Sequence, residues 1–220
     1  MDSFYQKSLI IHLVTSSNSP EFTLLNRALT RSSVIGLDAE WKPIRARQST
    51  FPTVSLLQLA CQLRPQLGAG SEEPVVFLLD LSLIPLPSIW ELLREVEPYL
   101  DITRINHFLQ HKQRERKTPK ETKSLASICN EVLGISLSKE LQCSDWSCRP
   151  LTEEQKTYAA IDAHCLLEIF KVFQANVVKE GKSYGNATEL HSSNINLGLK
   201  EILEKHDIGD AVIRTNFSEA

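Results

Sequence analysis

The first half of the chain alternates short apolar runs with polar turns, a pattern that is typical of strands in a sheet. Four such runs lie at Ser8–Thr15, Ser33–Glu40, Thr53–Gln62 and Val75–Leu81. The first alternates loosely and suits an edge strand, and the other three predict a meander. Between the first two runs, Ser19 followed by Pro20 indicates a helix start, and this helix is predicted to end near Arg31.

In the second half, apolar residues recur mainly at helical spacing. The predicted elements are a short helix at Ser88–Val96 with Trp90 and Leu93 facing inward, a strand at Tyr99–Thr103, an amphipathic helix at Lys123–Leu133 that Gly134 closes, and a long helix at Thr152–Phe173. Strands followed by helices predict an α/β protein in which helices flank a mixed sheet.

Two polar segments are predicted to be irregular. Residues His111–Lys123 carry many basic side chains and almost no apolar ones, so we expect a solvated loop, with contact to phosphates as the alternative. Beyond Val178 the sequence turns polar, with Gly, Ser and Asn. We therefore expect one domain over residues 1–178 and a linker or C-terminal tail over residues 179–220.

The composition is that of a soluble globular protein, with 42% hydrophobic and 23% charged residues among 220. The apolar run Leu9–Val14 is too short to cross a membrane and has no signal-peptide features, so we expect a nuclear or cytoplasmic protein. The five cysteines form no C-x-x-C pair and are expected to be buried free thiols. The net charge of −3 argues against nucleic-acid binding by bulk charge, but not against an enzyme with a carboxylate site.

Two acidic motifs are the candidates for chemistry. Asp38 and Glu40 end an apolar strand, where alternation of side chains places both carboxylates on one face. Tyr158 and Asp162 are four residues apart on a predicted helix and share a face. In isolation, the side chains of either motif are usually solvated or act as capping groups. The pair together predicts a metal site for cutting phosphodiester bonds, because hard divalent cations prefer oxygen ligands.

The residues around both motifs resemble the DEDDy class of 3′-5′ exonuclease domains. The resemblance is carried by the segment Asp38–Trp41, by the LLQLA strand at 56–60, and above all by the block from Asp145 to Ala163, in which W-x-x-R-P-L precedes Y-x-x-x-D. It covers about Ser8 to Ala175. This class includes ribonuclease D, the Werner exonuclease and the Mut-7 type proteins, and the resemblance implies a ribonuclease H-like fold.

The resemblance also implies roles for individual residues. Two divalent cations, magnesium or manganese, would act at a 3′ end of RNA or DNA. Asp38 would bridge both ions, Glu40 and Asp162 would complete the first, and the Tyr158 hydroxyl would orient the attacking water. Trp41 and the loop from Trp146 to Arg149 would lie near the terminal nucleotide, although a tryptophan such as Trp146 is more often a core residue.

One carboxylate of the family pattern has no counterpart in this chain. The family places an aspartate for the second cation on a strand and helix that follow a helix like Ser88–Val96, whereas here Val96 leads directly through Pro98 to the Tyr99–Thr103 segment. One strand and one helix are therefore predicted to be missing. The strand of Asp38 would then lie at the sheet edge unless Tyr99–Thr103 takes the empty position.

Three positions are candidates to replace that aspartate: Asp80, Asp101 and the Asn106-His107 pair. None fits the pattern well, so the second cation is expected to be weakly held. Three functions follow from this. The first is a 3′-5′ exonuclease domain of reduced activity, the second is an inactive nucleic-acid-binding or regulatory isoform, and the third is a structural interaction module. An inactive binder should bind single strands in a salt-dependent manner, and a structural module should not.

Overall fold

The structure is a computed structural model that describes residues 9–42, 53–64, 73–94, 96, 101–103, 105–106 and 123–183, with side chains as far as 176. Its strands and helices are β1 (Ile10–Val14), α1 (Pro20–Arg31), β2 (Ser32–Trp41), β3 (Val54–Leu63), β4 (Val75–Asp80), α2 (Leu86–Leu93), α3 (Leu125–Leu133) and α4 (Glu153–Ser183). The predicted basic loop, apart from Lys123, and most of the predicted tail lie outside the described residues.

The four strands form one sheet in the order β1-β4-β3-β2. β1 runs parallel to β4, whereas β3 is antiparallel to both of its neighbours. β3 and β4 lie in the middle of the sheet and have nearly continuous apolar sequences, because helices cover both of their faces. The mixed sheet with flanking helices confirms the predicted fold class.

β2, the strand that carries the first acidic motif, pairs only with β3 within the described residues. It therefore forms one end of the described sheet. The predicted strand at Tyr99–Thr103 does not extend the sheet on this side, and for its described part the prediction of a strand is wrong.

The segment that follows Asp101 is helical instead. Ile102 and Thr103 are in helical conformation, and so are Ile105 and Asn106. The Oδ1 atom of Asp101 accepts hydrogen bonds from the backbone nitrogen of Thr103 at 2.8 Å and from its hydroxyl at 2.7 Å, as an N-cap residue does. Burial of both isoleucines, three residues apart, matches one face of a helix.

Helices cover both faces of the sheet. α1 and α2 pack on the face that includes Leu57 and Leu59. α4 packs on the opposite face, where Leu56 contacts a cluster that includes the small residues Ala160 and Ala163 of this helix. The catalytic candidates lie on the α4 side, because side chains alternate along each strand.

α2 presents a different face to the core from the one predicted. Trp90 is 76% exposed, whereas Ile89 is only 6% exposed and packs against the sheet with Leu93. The prediction that Trp90 faces inward is therefore wrong. α2 begins at Leu86, earlier than predicted, and Leu86 and Trp90 lie one turn apart on the solvent side.

The start of α4 is fixed by reciprocal hydrogen bonds. The backbone nitrogen of Thr152 donates to Oε1 of Gln155 at 3.0 Å, and the backbone nitrogen of Gln155 donates to the Thr152 hydroxyl at 3.1 Å, which is a capping box. The helix continues to Ser183, well beyond its predicted end at Phe173. Within the described parts of the chain, no helix has the length and apolar character needed to cross a membrane.

Candidate active site

The register of the sheet places both carboxylates of β2 under α4. Asp38 lies opposite Gln58 of β3, and Glu40 lies opposite Leu56. Directly paired residues point to the same face of a sheet, and Leu56 packs against the cluster that includes α4. The strand thus delivers Asp38 and Glu40 to the side on which α4 lies.

Gly36 allows the backbone of α4 to come close to β2. A Cβ atom added at Gly36 would lie 2.4 Å from the carbonyl oxygen of Ala163 and 3.2 Å from Cβ of Leu166. Any side chain at this position would therefore collide with the helix. The close approach brings Asp162, the residue before Ala163, to the carboxylates of β2.

Electrostatic coupling joins the four predicted catalytic residues into one site. Burial and the charge of Asp38 raise the pKa of Asp162 to about 8, and a hydrogen bond with the Tyr158 hydroxyl partly offsets this increase. Burial and the charges of Asp38 and Asp162 raise the pKa of Glu40 to about 9. Burial, followed by the charges of Asp162 and Glu40, raises the pKa of Tyr158 above its ordinary value.

The chemistry of these donors suits a divalent cation. Three carboxylates that repel one another provide hard oxygen ligands, and a cation would neutralise their repulsion. The spatial arrangement of these donors fits a metal ion less well than their chemistry does. Within the described ranges, no group of three or more His, Cys, Asp and Glu side chains is arranged so that it could hold a metal ion. The fit to a cation therefore rests on the type and burial of the donors.

The two aspartates considered as substitutes for the absent ligand have other roles. Asp80 is almost fully buried and accepts hydrogen bonds from Arg149, from the backbone nitrogen of Ser82 at 3.0 Å and from the Ser82 hydroxyl. Asp101 caps the helical segment that follows it through Thr103. The Asn106-His107 pair is described only at Asn106, which is buried and helical.

Arg149, a predicted nucleic-acid contact, is bound by protein groups on all sides of its guanidinium. Nε and Nη2 form a bidentate ion pair with the carboxylate of Asp80, and Nη2 also donates to the carbonyl of Ser55 at 3.3 Å. Nη1 donates to the carbonyls of Trp146 and Cys148 at 2.7 and 2.8 Å. These bonds engage all of its donor groups, so its position indicates a structural role. Contact with nucleic acid remains a prediction for this residue.

The two predicted tryptophan contacts lie in different environments. Trp146 is 1% exposed, and its ring lies 5.9 Å from that of Tyr158, in the core beneath α4. In this position the ring of Trp146 packs beside the ring of Tyr158. Trp41 is partly buried at the end of β2, after a register shift that follows Glu40. Nucleic-acid contact by either tryptophan remains a prediction.

Sequence reasoning missed two polar residues of this region. In the sequence, Gln58 stands out only as part of the LLQLA strand, yet it is fully buried directly opposite Asp38. The available signal is a polar residue flanked by two apolar residues on each side in a central strand. The sequence pattern presents Asp80 only as a candidate metal ligand. Its partner Arg149 is 69 residues away, and local periodicity gives no signal for such a contact.

Removal of one charge from the carboxylate group is expected to stabilise the metal-free protein. A raised folded-state pKa means that the folded state holds protons that the unfolded state has released, so stability falls as pH rises from about 5 to about 9. In EDTA, Glu40→Gln should lose less melting temperature over this range than the wild type. The exposed residue Glu153 provides the matched control, and Glu153→Gln should keep the wild-type slope. A steeper loss of melting temperature in Glu40→Gln would contradict the assigned repulsion.

Comparison with known proteins adds an independent line of observation. A family profile described as 3′-5′ exonuclease matches residues 92–177. The chain is 30% identical over 207 residues to the exonuclease mut-7 homolog of Homo sapiens, which covers 76% of this chain and 23% of that protein. It is 31% identical over 166 residues to the bifunctional 3′-5′ exonuclease/ATP-dependent helicase WRN of Mus musculus, which covers 67% of this chain and 11% of that protein.

Solved structures share the fold of this chain. The Aedes aegypti Nibbler EXO domain matches with a TM-score of 0.58 at 23% identity, over 86% of this chain and 95% of that chain. Trypanosoma brucei RNase D in complex with RNA U12 matches with a TM-score of 0.58 at 16% identity, over 97% of this chain and 76% of that chain. At these identities the likeness concerns the fold alone. The chain spans about a quarter or less of the length of the curated relatives named above.

Proposed function

Because this chain carries a 3′-5′ exonuclease domain of the same family as the Mut-7 and Werner proteins, we propose that it removes nucleotides from 3′ ends of nucleic acid. The site of the reaction is the group formed by Asp38, Glu40, Tyr158 and Asp162. The observation that carries this proposal is their electrostatic coupling, since two buried carboxylates and a half-buried one beside a phenol form a site that attracts cations.

Members of this family typically use divalent metal ions. Magnesium or manganese, when bound, would lower the pKa of the attacking water and stabilise negative charge on the leaving 3′ oxygen. Asp38 would hold both cations, and Glu40 and Asp162 would complete the first. Burial of Asp38 and Asp162 strengthens their interaction with a cation.

Tyr158 acts on the attacking water in this proposal. Its raised pKa keeps the phenol protonated at neutral pH, so the hydroxyl donates to Asp162 and its oxygen accepts from the water. The buried ring of Trp146 supports the ring of Tyr158 from beneath. We also propose that Trp41, next to Glu40, contacts the terminal nucleotide.

Of the two cations, the second would be bound more weakly. Family members hold it with a further aspartate, and neither Asp80 nor Asp101 is available for this role, because Arg149 and Thr103 already bind them. The leaving oxygen would therefore be less well stabilised, and we propose that turnover is slow. The same observation favours a second candidate function, an inactive domain that still binds single-stranded 3′ ends.

The test is release of nucleotides from a 3′-labelled single-stranded oligonucleotide. RNA and DNA are used in parallel, with manganese or with EDTA, and wild type is compared with Asp38→Ala. We expect shortening in manganese that is absent in EDTA and falls to background in Asp38→Ala. The control variant Glu153→Gln changes an exposed carboxylate at the start of α4 and should retain wild-type activity.

The outcomes separate the two candidate functions when thermal melting shows that all variants are folded. Shortening that Asp38→Ala abolishes supports the exonuclease. Absence of shortening, with retained salt-dependent binding of the oligonucleotide, supports the inactive binder. Shortening that survives in Asp38→Ala would assign the activity to another site or to a contaminant.

A further inference from the structure

Gln58 is a buried polar residue whose presence packing does not explain. It lies in the middle of β3 and is fully buried. Neither Nε2 nor Oε1 of its amide has a hydrogen-bond partner in the part of the chain that the structure describes. A buried polar group without a partner lowers the stability of the fold, and leucine or methionine would fill similar space without this cost.

The neighbours of Gln58 connect it with the carboxylate site. It lies between Asp38 of β2 and Leu78 of β4 in one row across the sheet. The Cβ atoms of such paired residues lie about 5 Å apart, so the long side chain of Gln58 can reach the carboxylate of Asp38. Because Leu78 is apolar, Asp38 is the residue of this row with which the Gln58 amide can form a hydrogen bond.

The chemistry of an amide suits this position. A glutamate would add charge to a group whose members already repel one another, as the raised pKa values of Glu40 and Asp162 indicate. The amide is neutral, and it offers both N–H donors and a carbonyl acceptor. Neutral hydrogen-bond partners of this kind orient carboxylate ligands at metal sites.

We propose that Gln58 is a positioning residue of this site, whose amide fixes the orientation of the Asp38 carboxylate, directly or through one bound water, when a divalent cation binds. The inference rests on the proposed function. Gln58 acts through Asp38 and does not touch the substrate.

The test compares Gln58→Met with wild type in two measurements. The first is the melting temperature in EDTA, and the second is the affinity for manganese, followed by the signal of free Mn²⁺ in electron paramagnetic resonance. Loss of a buried unpaired amide should leave the melting temperature equal or raise it. Loss of the partner of Asp38 should weaken manganese binding roughly tenfold or more.

Gln62 provides the matched control, because it lies on the same strand and the same face, opposite Val34 and away from the carboxylates. Gln62→Met should bind manganese as tightly as wild type. A Gln58→Met protein that binds manganese as wild type does would overturn the inference while leaving the proposed function intact. A wild-type chain whose manganese binding is the same as that of Asp38→Ala would overturn both.

A second variant covers the case in which Gln58→Met does not fold. Gln58→Leu removes the amide with a different apolar shape and undergoes the same two measurements. If both variants melt well below wild type in EDTA, the amide serves the stability of the fold, and its role in positioning Asp38 is rejected.

Discussion

Arg149→Ala is expected to destabilise the protein by about 3–5 kcal/mol, because it leaves the buried carboxylate of Asp80 without a partner. Burial by itself would raise the pKa of Asp80, but hydrogen bonds from Arg149 and Ser82 reverse this effect and lower it. Arg149 also joins the Trp146 and Cys148 carbonyls to the Ser55 carbonyl at the start of β3. The measurement is the free energy of unfolding by urea at neutral pH.

The dependence on pH provides a second measurement of this ion pair. In the wild type, the stability that Asp80 contributes is present above its unfolded pKa and is lost as pH falls through its folded pKa. In Arg149→Ala, only the hydrogen bonds from Ser82 still oppose the effect of burial, so the pKa of Asp80 should rise and the variant should lose less stability than the wild type as pH falls. The double variant Arg149→Met with Asp80→Leu removes both charges and should recover much of the lost stability. Equal losses in the single and double variants would show that packing, not the buried charge, is responsible.

Local periodicity in the sequence was sufficient to predict which of the carboxylates and the phenol share a face of their strand or helix. Asp38 and Glu40 are two residues apart on a strand, and Tyr158 and Asp162 are four residues apart on a helix, so each pair shares a face whatever surrounds it. The alternation of apolar runs likewise predicted all four strands of the sheet, since burial on one or both faces determines their composition.

Elsewhere the sequence pattern did not predict the structure, because a side-chain cap, the register of a helix or a tertiary contact determined it. The segment after Asp101 is rich in β-branched residues and was predicted as a strand, but the aspartate side chain caps a helix there. Trp90 was predicted to face inward from the helical spacing of the apolar residues, but the register of α2 places Ile89 on the core side. The ion pair of Arg149 with Asp80 depends on tertiary structure that no local pattern encodes, because the two residues are 69 positions apart, and contact of Arg149 with nucleic acid stays a prediction.

The close packing of α4 against β2 depends on Gly36. Glycine is needed here for steric reasons. A Cβ atom would lie 2.4 Å from the carbonyl oxygen of Ala163, and this backbone atom cannot rotate away as a flexible side chain can. We expect Gly36→Ala to destabilise the protein by about 1–3 kcal/mol through overpacking. Because α4 must move away from β2, Asp162 should separate from Asp38, and affinity for manganese should fall together with stability.

Gly134→Ala is the control for this prediction. Gly134 ends α3 with a positive φ of 70° and has open space around its Cα, so alanine there strains the backbone by about 1–2 kcal/mol without collision. The two variants should therefore lose comparable stability in urea unfolding, but only Gly36→Ala should lose affinity for manganese. Equal affinities in the two folded variants would mean that the close approach of α4 to β2 stabilises the fold without setting the distance between the carboxylates.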